Sequence, residues 1–200
     1  YNPDNINDKD EKVFAMISQG NTEGVFQFES QGMKNVLMRL KPDSIEDLIA
    51  VVSLYRPGPM DSIPRYIDCR HNPSHITYKH PLLKPILEVT YGCIVYQEQV
   101  MQTAQVIGGF SLAQADTLRK AMSKKKLDVM QNLKEQFILG ARKNRIKDSV
   151  SNEIFSIMEQ FAGYGFNKSH SYAYSLVAYQ MAYLKANYPL YFYQSLLNSC

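Results

Sequence analysis

Apolar residues along this chain recur at helical spacing almost throughout. Met33, Val36, Leu37 and Leu40 fall every three or four positions behind Ser30, which predicts a capped helix ending before Pro42. Ser44-x-x-Asp47 has the form of a capping box and opens a second helix over 45–55, apolar on most sides and therefore central. Val100, Ala104 and Ile107 predict a helix over 97–107 that Gly108-Gly109 stops, and Ser111-x-x-Gln114 is the capping box of the next. On that next helix Leu112, Ala115, Leu118 and Met122 share one apolar arc. A helix over 127–144 turns Met130, Leu133, Phe137 and Ala141 inward, and further helices are expected over 152–161, over 172–186 and from Pro189 onward. The 172–186 segment is apolar nearly all round and reads as buried. Asp4, Asp8, Asp10 and Glu11 precede the run Val13 to Ile17, where carboxylates complement the amide dipoles of a helix start. Gly24 to Phe28 and Gly92 to Tyr96 read as short strands. The predicted fold is mainly α, irregular, with one or two short strands.

Composition narrows the class. Two hundred residues at 45% hydrophobic content suffice for a buried core. Cys69, Cys93 and Cys200 lack CxxC spacing, against a zinc ribbon or a disulfide scaffold, and free thiols fit a reducing cytoplasm. The longest apolar run, 172–184, is broken by Ser175 and Gln180 and is too short to span a bilayer, and no signal peptide is evident; the expectation is a cytoplasmic protein with no membrane partner. The chain starts on Tyr1 and ends on a helical pattern, which reads as a piece of something longer.

Charge changes the picture most. Residues 117–147 hold ten Lys/Arg against Asp128 and Glu135, a local +8 in a chain of net +3, so the remainder is net acidic. Focused basicity of this kind marks a wall that faces a polyanion. On the helix after Ser111, Arg119 and Lys126 fall on or beside the apolar arc and Lys120 and Lys124 on a flank. An arginine held beside a packed face wants an anionic partner, unless its stem snorkels and the head escapes to solvent. Arg56, emerging from a central helix before Pro57-Gly58-Pro59, either points into a cleft or sits at a helix C-terminus in solvent.

The second focus is Gly163-Tyr164-Gly165-Phe166-Asn167-Lys168-Ser169-His170-Ser171. It is not a Walker A loop: Ala162 and Asn167 occupy both glycine positions, and a helix precedes it where a strand is required. A glycine-rich turn into a helix start can still hold phosphate through amides, a lysine and hydroxyls, and Ser169 can equally be only an N-cap. Ser169 and His170 as a nucleophile–base pair are disfavoured, because neighbouring positions do not face each other on a helix. Asp8-x-Asp10 has two-metal spacing but lacks an apolar brace, and Cys69, His71, His75 and His80 match no zinc pattern.

These foci, together with Gly24-Val25-Phe26-Gln27-Phe28-Glu29-Ser30-Gln31-Gly32-Met33, Arg56-Pro57-Gly58-Pro59, Tyr91-Gly92-Cys93-Ile94-Val95-Tyr96-Gln97-Glu98-Gln99-Val100-Met101 and Leu118-Arg119-Lys120-Ala121-Met122-Ser123-Lys124-Lys125-Lys126, resemble the bacterial C-family replicative DNA polymerases, the family of the DNA polymerase III alpha subunit. The motifs occur in family order over about residues 10–200. The resemblance implies a helical fingers domain over 21–200, truncated at the C-terminus, with 1–20 as the connection from the palm plus a first helix. It implies DNA-directed DNA synthesis by the full-length parent, with Mg²⁺ held by palm carboxylates outside this stretch, so that these residues alone are inactive and contribute no catalytic or metal-binding residue. It places Arg119 toward the incoming dNTP triphosphate and Lys120 where many relatives carry a second arginine; lysine keeps the charge and loses bidentate geometry. Lys168 and Ser169 are then candidates for phosphate, His170 for the sugar, and Arg56 for the same cleft. Lys124, Lys125, Lys126, Arg142 and Lys143 are candidates for DNA phosphates. The implied partners are primer-template DNA, dNTP and the rest of the alpha subunit, with sliding clamp and replisome subunits contacting regions outside this stretch. The rival reading is a non-enzymatic helix-turn-helix-like DNA-binding module built on Gly108-Gly109, for which base-reading residues are scarce on the following helix. A nucleotide-binding domain on 163–171 and a helical interaction bundle without nucleic acid rank below it.

Overall fold

The computed structural model describes residues 6–162 and 167–199. Eleven α-helices are present among them: α1 (Glu11–Ser18), α2 (Gln31–Leu40), α3 (Ile45–Leu54), α4 (Ile63–His71), α5 (Lys84–Leu87), α6 (Gln97–Gly108), α7 (Leu112–Ser123), α8 (Leu127–Lys143), α9 (Asp148–Ala162), α10 (Lys168–Asn187) and α11 (Pro189–Asn198). The fold is mainly α, as the periodicity predicts. The chain divides into two compact units, Tyr1–Tyr55 with Ser169–Cys200, and Arg56–Lys168.

In the first unit the helix starts follow local capping chemistry. The Asp10 carboxylate accepts from Lys12 N and Val13 N, Ser30 Oγ from Met33 N, and Ser44 Oγ from Asp47 N. Helix α1 then buries Val13, Phe14 and Ile17, α2 buries Met33, Leu37 and Leu40, and α3 is buried from Asp47 through Leu54. The Tyr179 hydroxyl ties α10 to the start of α1 by donating to Asn7 O (2.7 Å) and accepting from Asp10 N (3.1 Å). Burial pushes its pKa up to about 12. Lys185, 5% exposed, is held by the Glu23 carboxylate (3.2 Å) and carbonyl (2.8 Å), while Lys34 pairs with the same carboxylate; these cations lower the Glu23 pKa to about 2, the Lys34 hydrogen bond contributing most.

Two expectations for this unit change. Gly24 to Phe28 turns instead of running as a strand: Gly24 and Gln27 are left-handed (φ 74° and 68°), and the local amides bond back, Val25 N to Thr22 O and Phe28 N to Val25 O. Helix α10 does not bury an apolar circumference. Its buried face is Ser171, Ser175, Ala178, Tyr179, Ala182 and Lys185, while Tyr172 and Val177 are exposed. Small side chains at spacings of four and three let it approach closely, and Ser171 Oγ meets Ser53 Oγ of α3 at 2.6 Å.

The second unit is built around α6, α7, α8 and α9 packed on one another. Met130, Leu133, Phe137 and Ala141 are the buried face of α8, as the spacing predicts. Phe137 is fully buried, edge-on to Phe110 (centroids 6.1 Å) and tilted against Phe155 (5.5 Å). Helix α7 buries Ala115, Leu118, Ala121 and Met122, but Leu112, expected on the same arc, is exposed: at the first helical position its side chain leans back past the helix end. The capping box is complete, with Gln114 N donating to Ser111 Oγ and Ser111 N to Gln114 Oε1.

Gly92 to Tyr96 is the second strand expectation to change. Tyr91 and Gly92 are left-handed and close a turn, Gly92 N bonding to Leu87 O (2.9 Å), and the chain passes from Tyr96 directly into α6. The amides of Val95 and Tyr96, which a ladder would use, go instead to Gln99 Oε1 (2.8 and 3.0 Å). Gln99 Nε2 donates to Ile86 O (3.2 Å) and Thr90 Oγ1 (2.8 Å), so this 3% exposed amide holds the entry to α6 through four bonds. Gln99→Leu keeps the volume and strands those partners; thermal or urea unfolding of the 200-residue chain is expected to register a loss of about 2 kcal/mol.

The remaining polar candidates have local roles. His75 Nδ1 pairs with Asp68, which lowers the pKa of that carboxyl, and His80 Nδ1 accepts from Leu82 N. Asp10 is the α1 cap. Among the described residues no group of three or more His, Cys, Asp or Glu is disposed to hold a metal ion, and no helix is long and apolar enough to cross a membrane.

Candidate functional site

The site forms where the N-terminal turn of α6 meets the exposed flank of α7. Burial of Ala115, Leu118 and Met122 fixes the rotation of α7 and leaves Asp116, Arg119 and Lys120 together on its partly exposed side. Arg119 keeps only 19% of its side-chain surface in solvent. Its Nε and Nη2 donate to Asp116 Oδ1 (3.2 and 2.8 Å), and Nη1 donates to Gln97 Oε1 of α6 (3.3 Å). Lys120 Nζ pairs with the other Asp116 oxygen at 2.6 Å. The Lys120 and Arg119 hydrogen bonds hold the Asp116 carboxyl below its ordinary range, so it is ionised at neutral pH and the cluster carries a net +1.

The second cationic element reaches the same turn. Lys168 Nζ lies over the Tyr96 ring, 5.3 Å from its centroid, and Lys168 N, the first amide of α10, donates to both Glu98 oxygens at 3.3 Å. Arg119 and Lys168 thus converge on three consecutive residues, Tyr96, Gln97 and Glu98, although 49 positions separate them in sequence. Glu98 occupies the first α10 amide, a donor that a phosphate would otherwise take.

The other candidates are placed as follows. Helix α10 begins at Lys168, so Ser169 lies inside its first turn and is not the N-cap. Ser169 and His170 belong to the first unit, where both are exposed and the His170 ring packs edge-on against Tyr174 (4.4 Å). Arg56 opens the second unit, half buried, and that burial lowers the pKa of its guanidinium. Gly163 to Phe166, the glycine-rich half of the second focus, lies outside the described residues.

Lys124, Lys125 and Lys126 form the α7–α8 turn and are all exposed. Lys125 is left-handed (φ 50°), and the bonds Lys125 N to Met122 O and Lys126 N to Ala121 O make a Schellman closure. Lys126 therefore lies beyond α7, at the start of α8, and not beside the α7 arc. Arg142 is committed locally: Nε and Nη2 chelate Asp148 at 2.8 and 2.6 Å, which raises the Arg142 pKa. Lys143, in the last turn of α8, is exposed.

Comparison with known proteins decides the family. Residues 1–145 match the family described as bacterial DNA polymerase III alpha subunit finger domain. The chain belongs to this family. It is 56% identical over 195 residues to the DNA polymerase III subunit alpha of Borreliella burgdorferi, covering 96% of this chain and 17% of that protein. It is 50% identical over 190 residues to the DNA polymerase III subunit alpha of Staphylococcus aureus, covering 95% of this chain and 18% of the relative. The chain thus spans less than a fifth of the length of these relatives. Within this finger domain the contacts that sequence reasoning left unassigned are those of Asp116, Gln97 and Glu98. Asp116 was within reach, because a carboxylate three and four positions before Arg119 and Lys120 faces both on a helix. Gln97 and Glu98 carry no such signal, since their partners lie 22 and 70 positions away.

Proposed function

We propose that this chain is the fingers part of a bacterial replicative DNA polymerase, residues 21–200 forming the domain and 1–20 its connection to the palm, and that it grips the triphosphate of the incoming dNTP during template-directed synthesis. What carries the reading is the meeting of Arg119 and Lys168 at the first turn of α6. In the proposed reaction the primer 3′-hydroxyl attacks the α-phosphate and pyrophosphate leaves, so negative charge builds on the phosphate oxygens. Preorganised cations beside those oxygens lower the barrier. Arg119 offers planar N–H groups, Lys120 a point charge at the outer edge, and Lys168 a second charge across the α6 turn. Arg56, in the same unit, is the further member of the proposed nucleotide-facing set.

The described residues do not fit a Mg²⁺ site. The ions such a reaction uses are assigned to palm residues outside this chain, and no role proposed here passes through them. Lys124, Lys125, Lys126 and Lys143 are assigned to DNA phosphates, with Arg142 contributing only if it leaves Asp148. The proposed partners are primer-template DNA, dNTP and the remainder of the alpha subunit in the bacterial cytoplasm, with clamp and replisome contacts made elsewhere in the parent.

The test is incorporation by the full-length subunit as a function of dNTP concentration, with Arg119 and Lys168 replaced separately by alanine. Weakened dNTP use with primer-template affinity intact is expected for both; wild-type dNTP dependence in both overturns the reading. The DNA assignment is checked by salt titration. Replacing Lys124, Lys125 and Lys126 by glutamine should flatten the slope of log affinity against log salt by up to about 3, near 0.9 for each phosphate no longer neutralised. An unchanged slope removes this turn from the DNA interface.

A further inference from the structure

We infer that Asp116 is a positioning residue for nucleotide binding: a carboxylate that clasps Arg119 and Lys120 and, with Gln97, holds both cations in the geometry that receives the triphosphate. The inference rests on the triphosphate reading above and extends it to a residue of opposite charge.

Three observations carry it. One carboxylate serves both cations, Oδ1 taking Nε and Nη2 of Arg119 and Oδ2 taking Lys120 Nζ at 2.6 Å. Gln97 fixes the remaining arm of the guanidinium from a different helix, so the Arg119 plane is set from two sides at once. The clasp also leaves donors over. An arginine has five N–H groups, of which Asp116 and Gln97 engage three; a lysine has three, of which Asp116 engages one. Two N–H groups of Arg119 and two of Lys120 remain for phosphate without breaking the clasp.

Two opposite effects follow from a carboxylate in this position, and their signs differ. As a bare charge, Asp116 repels a triphosphate, so its removal would tighten dNTP binding. As a clasp it spares the nucleotide the entropy of ordering two long, rotamer-rich side chains, so its removal weakens binding even though the site becomes more positive. The two-sided constraint on Arg119 and its low exposure favour the second effect. Stability depends on these pairs to a lesser degree, because ion pairs three and four positions apart on one helix contribute little, although the part-buried Arg119 makes its pair the larger of the two.

The experiment measures KM for dNTP and kcat in the full-length subunit for Asp116→Ala, Asp116→Asn, Gln97→Ala and Arg119→Ala, with thermal unfolding and primer-template affinity of each. Asp116→Ala is expected to raise KM for dNTP roughly tenfold, with Tm and DNA affinity near wild type. Asp116→Asn, which keeps an acceptor for Arg119 and loses the charge, should fall between, and Gln97→Ala should shift KM in the same direction by less. In the Asp116→Ala/Arg119→Ala double variant most of the Asp116 effect should disappear, because the group it positions is gone. An unchanged or lowered KM in Asp116→Ala overturns the clasp. If Asp116→Ala unfolds, Asp116→Asn is read by the same criterion. If Arg119→Ala itself leaves dNTP use unaltered, the triphosphate reading fails; a strong Arg119 effect with no Asp116 effect removes the clasp alone.

Discussion

Arg119→Ala in the full-length subunit should lower kcat/KM for dNTP incorporation by about thirtyfold or more, equivalent to roughly 2 kcal/mol of transition-state stabilisation. The size follows from the environment. Arg119 is mostly shielded from water, and its head is held by Asp116 and Gln97. A charge-assisted contact to phosphate in such a setting is stronger than one at an open surface, where water screens it. Arg119→Lys is informative beside it. Lysine keeps the charge but cannot bridge Asp116 and Gln97 with one planar group, so most of the loss should persist if geometry matters and should be recovered if charge suffices. The pattern across the four dNTPs should be uniform, because a phosphate contact carries no information about the base. A loss confined to one nucleotide, or a loss in primer-template affinity of the same size, would place Arg119 elsewhere in the reaction.

What was legible in the sequence is what depends on neighbours along the chain. Ser30, Ser44, Asp10 and Ser111 cap helices because a cap needs only the right oxygen a few residues before a free amide. Phe137 and its companions on α8 were readable as an inward stripe because period 3.6 survives any tertiary arrangement. The misread segments are those where a distant group overrules the local pattern. Gln99, not a neighbouring strand, takes the amides of Val95 and Tyr96. On α10 an apolar circumference reads as burial all round, whereas close helix contact selects one face of serine, alanine and Tyr179 and leaves Tyr172 and Val177 outside. At the candidate site, the cationic residues were visible as charge in sequence. Their holders were not, except Asp116, whose spacing to Arg119 and Lys120 is local. Charge patterning therefore locates the cationic cluster, while the distant groups that hold it emerge only from the tertiary structure.

Gly140→Ala tests the packing that carries α7 and its cluster, and here two principles predict opposite signs. Gly140 lies inside α8, where exchanging glycine for alanine improves helix propensity by about 1 kcal/mol. A Cβ at this position, however, would overlap the carbonyl oxygen of Gly108 and come within 2.6 Å of its carbonyl carbon. Gly108 ends α6, and its own Cα faces Phe137 one turn earlier on α8, with a built Cβ only 2.5 Å from Cδ2 of that ring. The two glycines thus let the α6 terminus and α8 touch backbone to backbone. The clashing partner is main chain, which cannot rotate away as a side chain end would, so the helices must separate and Phe137 must pull away from Phe110 and Phe155. The steric effect should win, with a net loss of about 3 kcal/mol and a fall in Tm of about 10 °C for a chain of this size. Gly109→Ala is the control. No atom lies within 4 Å of a Cβ there, and the left-handed φ of 67° alone should make the change destabilising by about 1 kcal/mol. A Gly140→Ala chain as stable as wild type would mean that α6 and α8 are not in backbone contact at this crossing.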